Sequence, residues 1–202
     1  MGDAKNDDLR VSFDSRLRVK FIGSKVTTDA GLLAYREIDE TLGLTGMGLE
    51  MLIDSRLGSN KQHGLVPLLR QSIYSRLAGY EDVNDAERLC LDPAMRHVVG
   101  GRASQPEKQA ASTSEVGRFE TEILSTQDNL RKLMDLSGEW IDKVHQRQPL
   151  KELILDLDSS VSETYGKQEG TAYNGHFECN CYHPLFLFNQ LGDVERCMLR
   201  RG

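Results

Sequence analysis

The sequence predicts an α+β fold: a helical region running to about Gln148, then a short antiparallel sheet. Two observations carry this. Before Gln148 the apolar residues recur at helical spacing, and after Pro149 the period changes to two. In addition, "NQLGD" between the last two apolar runs is a hairpin-type turn, which makes the sheet a meander. At 202 residues, 39% hydrophobic and 28% charged, the chain can bury a real core and has a globular composition.

The elements follow in order. Within a segment 1–24, "RVSFDSRLRVKFIG" alternates and predicts a small hairpin. A helical domain, 25–148, comes next. In "TTDAGLLAYREIDETLG" Asp29 is the expected N-cap, Leu32, Tyr35, Ile38 and Leu42 share a stripe, and Gly43 is the stop. "LVPLLRQSIYSRLAG" places Leu65, Leu68, Leu69, Ile73 and Leu77 on one face, with Pro67 in a first turn and Gly79 as the end. Shorter helices are expected near Gly48–Leu57, Asn84–Leu91 and Pro93–Val99. "GGRASQPEKQAASTS" is a polar connector, after which Ser114 caps another helix. A longer helix spans about Gln127–Gln146, with Leu130, Leu133, Met134, Ile141 and Val144 inward; Gly138 costs about 1 kcal/mol against Ala and is a place where a bend would not surprise. In the last segment, 149–202, "ELILDLDS", "GHFECNCYHPLFLF" and "VERCMLR" read as three strands in spatial order 1-2-3.

A net charge of −6 argues mildly against a nucleic-acid partner, although charge can be unevenly distributed. No apolar run is long enough to cross a bilayer, and the acidic N-terminus is not a signal peptide. Cys90, Cys179, Cys181 and Cys197 show no disulfide framework, which suits a reducing cytosol and predicts a cytoplasmic protein.

The first strand carries the candidate chemistry. Asp156 and Asp158 lie one residue apart and share a face, while Leu153, Leu155 and Leu157 point the other way toward an expected core. Two same-face carboxylates can hold one divalent ion, Mg²⁺ or Mn²⁺, or raise each other's pKa. The bland alternative is that one of them ends the strand and caps the next turn. His176, Cys179, Cys181 and His183 suggest zinc, but alternation puts His176 opposite the other three. One strand cannot close a tetrahedron, so the cysteines read as small buried side chains. Arg70, Arg76, Arg102 and Arg118 are spread among acids, mostly as solvated faces and i,i+4 pairs; phosphate binding is the minority reading.

Three stretches, "HGLVPLLRQSIYSRLAGYEDVNDAERLCLDPAMRHVVG", "STSEVGRFE" and "LILDLDSSVSETYGKQEGTAYNGHFECNCYHPLFLF", resemble, in order, bacterial insertion-sequence transposases of the group numbered thirteen-eighty. The resemblance runs from about Phe21 to the end. It implies a DDE enzyme of a mobile element whose catalytic domain has the ribonuclease-H-like fold. In such enzymes two aspartates and a glutamate hold two divalent ions, Mg²⁺ or Mn²⁺, that activate water and then a DNA 3′-hydroxyl. The family's first acid stands in a D-x-[ST] context, which matches Asp158-Ser159-Ser160; Asp156 is the neighbouring same-face carboxylate. The implied partner is double-stranded DNA with inverted-repeat ends.

The family's second aspartate and its glutamate come from segments beyond the third strand, and this sequence stops there. The expectation is therefore a truncated ribonuclease-H-like domain, the first three strands only, in a chain inactive by itself and prone to self-association through its exposed first strand. A non-catalytic DNA-binding or dimerisation module is the alternative. "LDLDSSV" also fits the start of haloacid-dehalogenase-like phosphatases, but that motif needs a lysine far downstream and Lys167 is too near.

Overall fold

The computed structural model describes residues 9–19, 29–57, 61–101 and 108–201. The chain divides into two compact units, Met1–Leu130 and Arg131–Gly202. The division falls inside a helix.

The first unit opens with the expected hairpin, β1 (Leu9–Arg10) against β2 (Arg18–Val19), antiparallel with Leu9 opposite Val19. Helix α1 (Leu32–Leu42) stops at Gly43, whose φ of 77° is left-handed and whose amide returns to the Asp39 carbonyl. Its buried face is not the expected one. Tyr35 and Ile38 are exposed, and Leu32, Leu33, Arg36 and Asp39 are buried. The stripe is rotated because two charged groups neutralise each other inside. Arg36 is ion-paired with Asp39 and Glu40 and lies 4.8 Å from the Phe13 ring centre. Asp39 in turn accepts the Thr45 amide at 2.8 Å. Asp29 does not cap α1 with its side chain, and instead takes a hydrogen bond from the Tyr80 hydroxyl, which pushes that phenol's pKa up.

Helices α2 (Leu44–Met51), α3 (Leu65–Leu77), α4 (Ala86–Leu89) and α5 (Pro93–Val98) follow. Asp92 caps α5 by accepting the Met95 amide at 2.8 Å, with Pro93 in the first turn. Helix α6 (Thr113–Arg118) is capped by Ser112, not Ser114, because Glu115 stands three residues after Ser112 and reaches back to its amide at 3.2 Å. A π-helical turn, Phe119–Leu124, continues α6. The core gathers Val11, Val19, Leu33, Tyr74, Met95 and Val98 with their neighbours. Gln71 ties the connector to α3: its amide nitrogen donates to the Ala111 carbonyl at 2.7 Å and its oxygen accepts the Ala111 amide at 2.7 Å. A buried side chain thus completes a backbone pair that no strand supplies.

Helix α7 (Gln127–His145) runs unbroken through Gly138. That glycine marks a contact instead of a bend. A Cβ there would meet the Arg196 guanidinium and lie 2.9 Å from the Glu195 carbonyl. Ser137 donates to that same carbonyl at 3.0 Å. Leu136 and Ile141 are buried, whereas Leu130 is exposed and does not face inward as expected.

Six strands complete the second unit: β3 (Leu155–Ser159), β4 (Ser162–Glu163), β5 (Ala172–Asn174), β6 (Cys179–Tyr182), β7 (Leu185–Asn189) and β8 (Val194–Met198). They form two antiparallel sheets, β3-β7-β8 and β4-β6-β5. The first is the expected meander order, with the expected second strand split into β6 and β7. Pro184 explains the split. Leu155 lies opposite Asn189, Ser159 opposite Leu185, Ser162 opposite Tyr182 and Glu163 opposite Cys181, one register throughout. Ser160 donates to the Pro184 carbonyl at 3.0 Å, and proline has no N–H to return. The β7–β8 turn is a three-residue hairpin loop with Gly192 at φ 86°. The extra residue Glu195 bulges β8, and its carboxylate is buried and accepts the Asn189 amide at 2.8 Å.

Two stability outcomes follow. Asn189→Ala leaves a buried carboxylate unpaired and lowers stability by about 2–4 kcal/mol in urea unfolding followed by the fluorescence of Trp140, the single tryptophan. Gln71→Leu strands the Ala111 amide and carbonyl and costs about 2 kcal/mol of the helical transition seen by circular dichroism. The Trp140 transition stays put in that variant if the two units unfold separately.

Candidate active site

The acids sit as alternation requires. Asp156 lies opposite Phe188 and Asp158 opposite Phe186, so the two carboxylates share a face with two rings whose centres are 6.0 Å apart. Neither carboxylate has a hydrogen bond or ion pair among the described residues. The expectation of a buried strand fails: every residue of β3 is exposed, including Leu155 and Leu157, and so is Leu153. The physical reason is position. β3 is an edge strand of its sheet, and α7 meets the sheet at β8 through Ser137 and Gly138.

Exposure changes what the pair can do. Buried, two adjacent acids would share a proton or need a cation to compensate desolvation. Exposed and without a partner, they offer hard oxygen donors from one segment with room for water. Mg²⁺ takes donors of this kind, usually one or two carboxylates plus its own waters. The pair therefore fits a single divalent ion. Among the described residues no group of three or more His, Cys, Asp or Glu converges to hold a metal. Cys179 and Cys181 lie on one face of β6, and the His183 and His176 rings pack against Phe177 at 5.7 and 4.8 Å.

The four arginines have different fates. Arg70 is turned inward, its Nε donating to Thr45 Oγ1 at 3.0 Å and lying 3.5 Å from Asp39. Burial, then the Arg36 charge, lowers its pKa. Arg76 grips Glu120 with both terminal nitrogens, at 2.8 and 3.1 Å, and that hydrogen bonding raises its pKa. Arg118 is exposed, without a partner among the described residues, and lines a cleft of about 760 Å³ with Arg56, Lys61 and Glu122. Arg102 lies outside the described residues. In that cleft Arg56 and Lys61 are already engaged by Asp54, at 2.8 and 3.3 Å.

Sequence reading missed His63. It is buried, with Nδ1 at 2.9 Å from Glu115 and Nε2 at 3.1 Å from the Gln109 carbonyl. Burial pushes the Glu115 pKa up, but His63 and Ser112 outweigh it and the net shift is downward. Nothing in the local pattern signals this pair, because its members are far apart in sequence.

Comparison with curated proteins and with solved structures gives no match. The family described as transposase DDE domain group 1 matches residues 9–202, nearly the whole chain. On that match, together with an acid pair on one face of its first long strand, the chain belongs to the transposase DDE domain family, group 1.

Proposed function

We propose that the chain acts in DNA transposition, with β3, β7 and β8 as the opening meander of a ribonuclease-H-like catalytic domain and Asp158 as its first metal-binding acid. Among the described residues no helix is long and apolar enough to cross a membrane, and the family is one of transposases. The observation that supports the site most directly is the same-face, unpartnered pair Asp156 and Asp158. Asp158 precedes Ser159 and Ser160, the D-x-[ST] context, and Asp156 completes the hard-oxygen donor set. A bound Mg²⁺ or Mn²⁺ supplies Lewis acidity to a phosphodiester and eases deprotonation of the attacking hydroxyl. The residues of β3 contribute position: a pleated strand fixes both carboxylates on one side, directly across from Phe188 and Phe186 on β7.

The proposed substrate is double-stranded DNA at inverted-repeat ends, and membership of the insertion-sequence group numbered thirteen-eighty is part of the same proposal. One acid pair holds one ion, whereas phosphodiester transfer by two ions takes further carboxylates. The chain by itself is therefore proposed to bind metal without cutting. The edge of β3 suggests a second property. Residues Asp156 and Asp158 are paired toward β7, so the amides of Leu155, Leu157 and Ser159 point to the open edge. An apolar open edge favours pairing with a second copy.

Mn²⁺ titration followed by electron paramagnetic resonance should show weak binding, lost when Asp156 and Asp158 are both changed to Asn. A nicking assay with element-end DNA should show no cleavage. Metal-dependent cleavage abolished by Asp158→Ala would refute the proposal that the chain alone cannot cut. Light scattering should detect concentration-dependent association that Leu157→Lys weakens at least several-fold; a monomer at every concentration contradicts the edge reading.

A further inference from the structure

The first unit holds a second cavity, about 210 Å³, where α3 begins. Its walls include Gly64, Arg70, Arg96, Gly100, Gly101 and Lys108, and among the described residues no carboxylate lines it. That separates it from the larger cleft, whose own lining includes Glu115 and Glu122 beside the cations. Size favours the larger cleft, but charge favours the smaller cavity. Pockets for whole small molecules run from about 300 Å³ upward, so this one suits a single group and not a nucleotide.

Three features point to an anion. Arg70 is mostly buried, with 15% of its side chain exposed. Its Nε is held by Thr45 and lies 3.5 Å from Asp39, while its terminal nitrogens have no hydrogen bond among the described residues and remain able to donate. One of them faces Gly100, where a Cβ would lie 3.9 Å away. Second, Lys108 is exposed, its ammonium has no partner among the described residues, and its backbone is pinned at the rim. Arg96 Nε donates to the Lys108 carbonyl at 2.9 Å, and His63 Nε2 lies 3.1 Å from the next carbonyl, that of Gln109. Third, the 13-residue helix α3 starts at Gly64 without a side-chain cap, so its positive end is left uncompensated beside the two cations. Gly101 allows the chain to pass close to α5 at the cavity wall, since a Cβ there would collide with the Arg96 carbonyl.

We propose that this cavity binds a phosphate group, gripped by Arg70 and Lys108 at the start of α3, and that the group is a phosphate of the DNA backbone. The second half rests on the transposase reading; the first does not. A backbone phosphate carries no sequence information, so the site would set the position of a duplex and leave its sequence unread.

The test uses the full chain and two probes: inorganic phosphate, by thermal shift against chloride at matched ionic strength, and a fluorescein-labelled duplex of arbitrary sequence, by anisotropy at several salt concentrations. Lys108→Gln is the primary variant, because its side chain is exposed and its loss spares the fold, with circular dichroism as the check. Arg70→Gln is avoided because Arg70 also holds Thr45. The expected result is a phosphate-dependent rise in Tm that Lys108→Gln weakens and Lys108→Arg retains. Duplex affinity should fall about 3–10-fold in Lys108→Gln for every duplex sequence, with the salt slope reduced by about 1. A phosphate response that depends on Lys108, with duplex binding unaffected or absent, upholds the phosphate site and overturns its assignment to DNA. Wild type and Lys108→Gln behaving alike toward both probes overturns the site itself, whatever the fate of the transposase reading.

Discussion

Pro184 carries no amide hydrogen, and the second unit is arranged around that missing donor. One register runs from Leu155 opposite Asn189 to Glu163 opposite Cys181, yet the ladder cannot close where Ser160 meets Pro184. The strand pair therefore divides into two sheets. On one side β7 sits between β3 and β8; on the other β6 sits between β4 and β5. The division ends β3 one residue after Asp158, so the acid pair lies at the last turn of the pleat before the break. A continuous ladder would have carried the same acids into the middle of a long strand.

The helical unit depends on a different kind of constraint, the pairing of charge inside it. Arg36, Asp39 and Arg70 join α1 to α3 through Thr45 at the start of α2. Such groups add little net stability over apolar replacements, but removing one partner leaves a desolvated charge, so they fix which helices meet. Gln71 and His63 do the same for the connector before α6, each satisfying backbone groups at 2.7 to 3.1 Å. These engagements decide which cations remain available. Arg76 and Arg56 face protein carboxylates, and among the described residues Lys108 and Arg118 do not.

Much of this architecture was legible in the residues. Gly43 and Gly79 end their helices with positive φ, "NQLGD" is a hairpin turn, and the change of period near Pro149 separates helices from strands. What failed has physical causes. The edge position of β3 follows from the expected strand order, but "LILDL" reads as buried because composition reports hydrophobicity and says nothing of which face a helix covers. The stripe of α1 was misplaced because Arg36 and Asp39 compensate each other inside, and a hydrophobic period assumes charges face water. Gly138 reads as a weak point in a helix, whereas its role is the close approach of β8, a contact 57 residues or more away in sequence that no local pattern encodes. At the site, the D-x-D alternation was readable from period alone. That the two acids have no partner among the described residues was not.

We propose that Asp156 and Asp158 form one solvent-facing cation site on β3, in register with Phe188 and Phe186. Mn²⁺-induced broadening of assigned amide resonances tests it most directly, because the effect falls steeply with distance from the ion. The account predicts that substoichiometric Mn²⁺ broadens residues 155–159 and 185–189 first, with residues 172–174 little affected. Broadening centred elsewhere, for example around the acids of α7, or none at β3 while other segments respond, would contradict it.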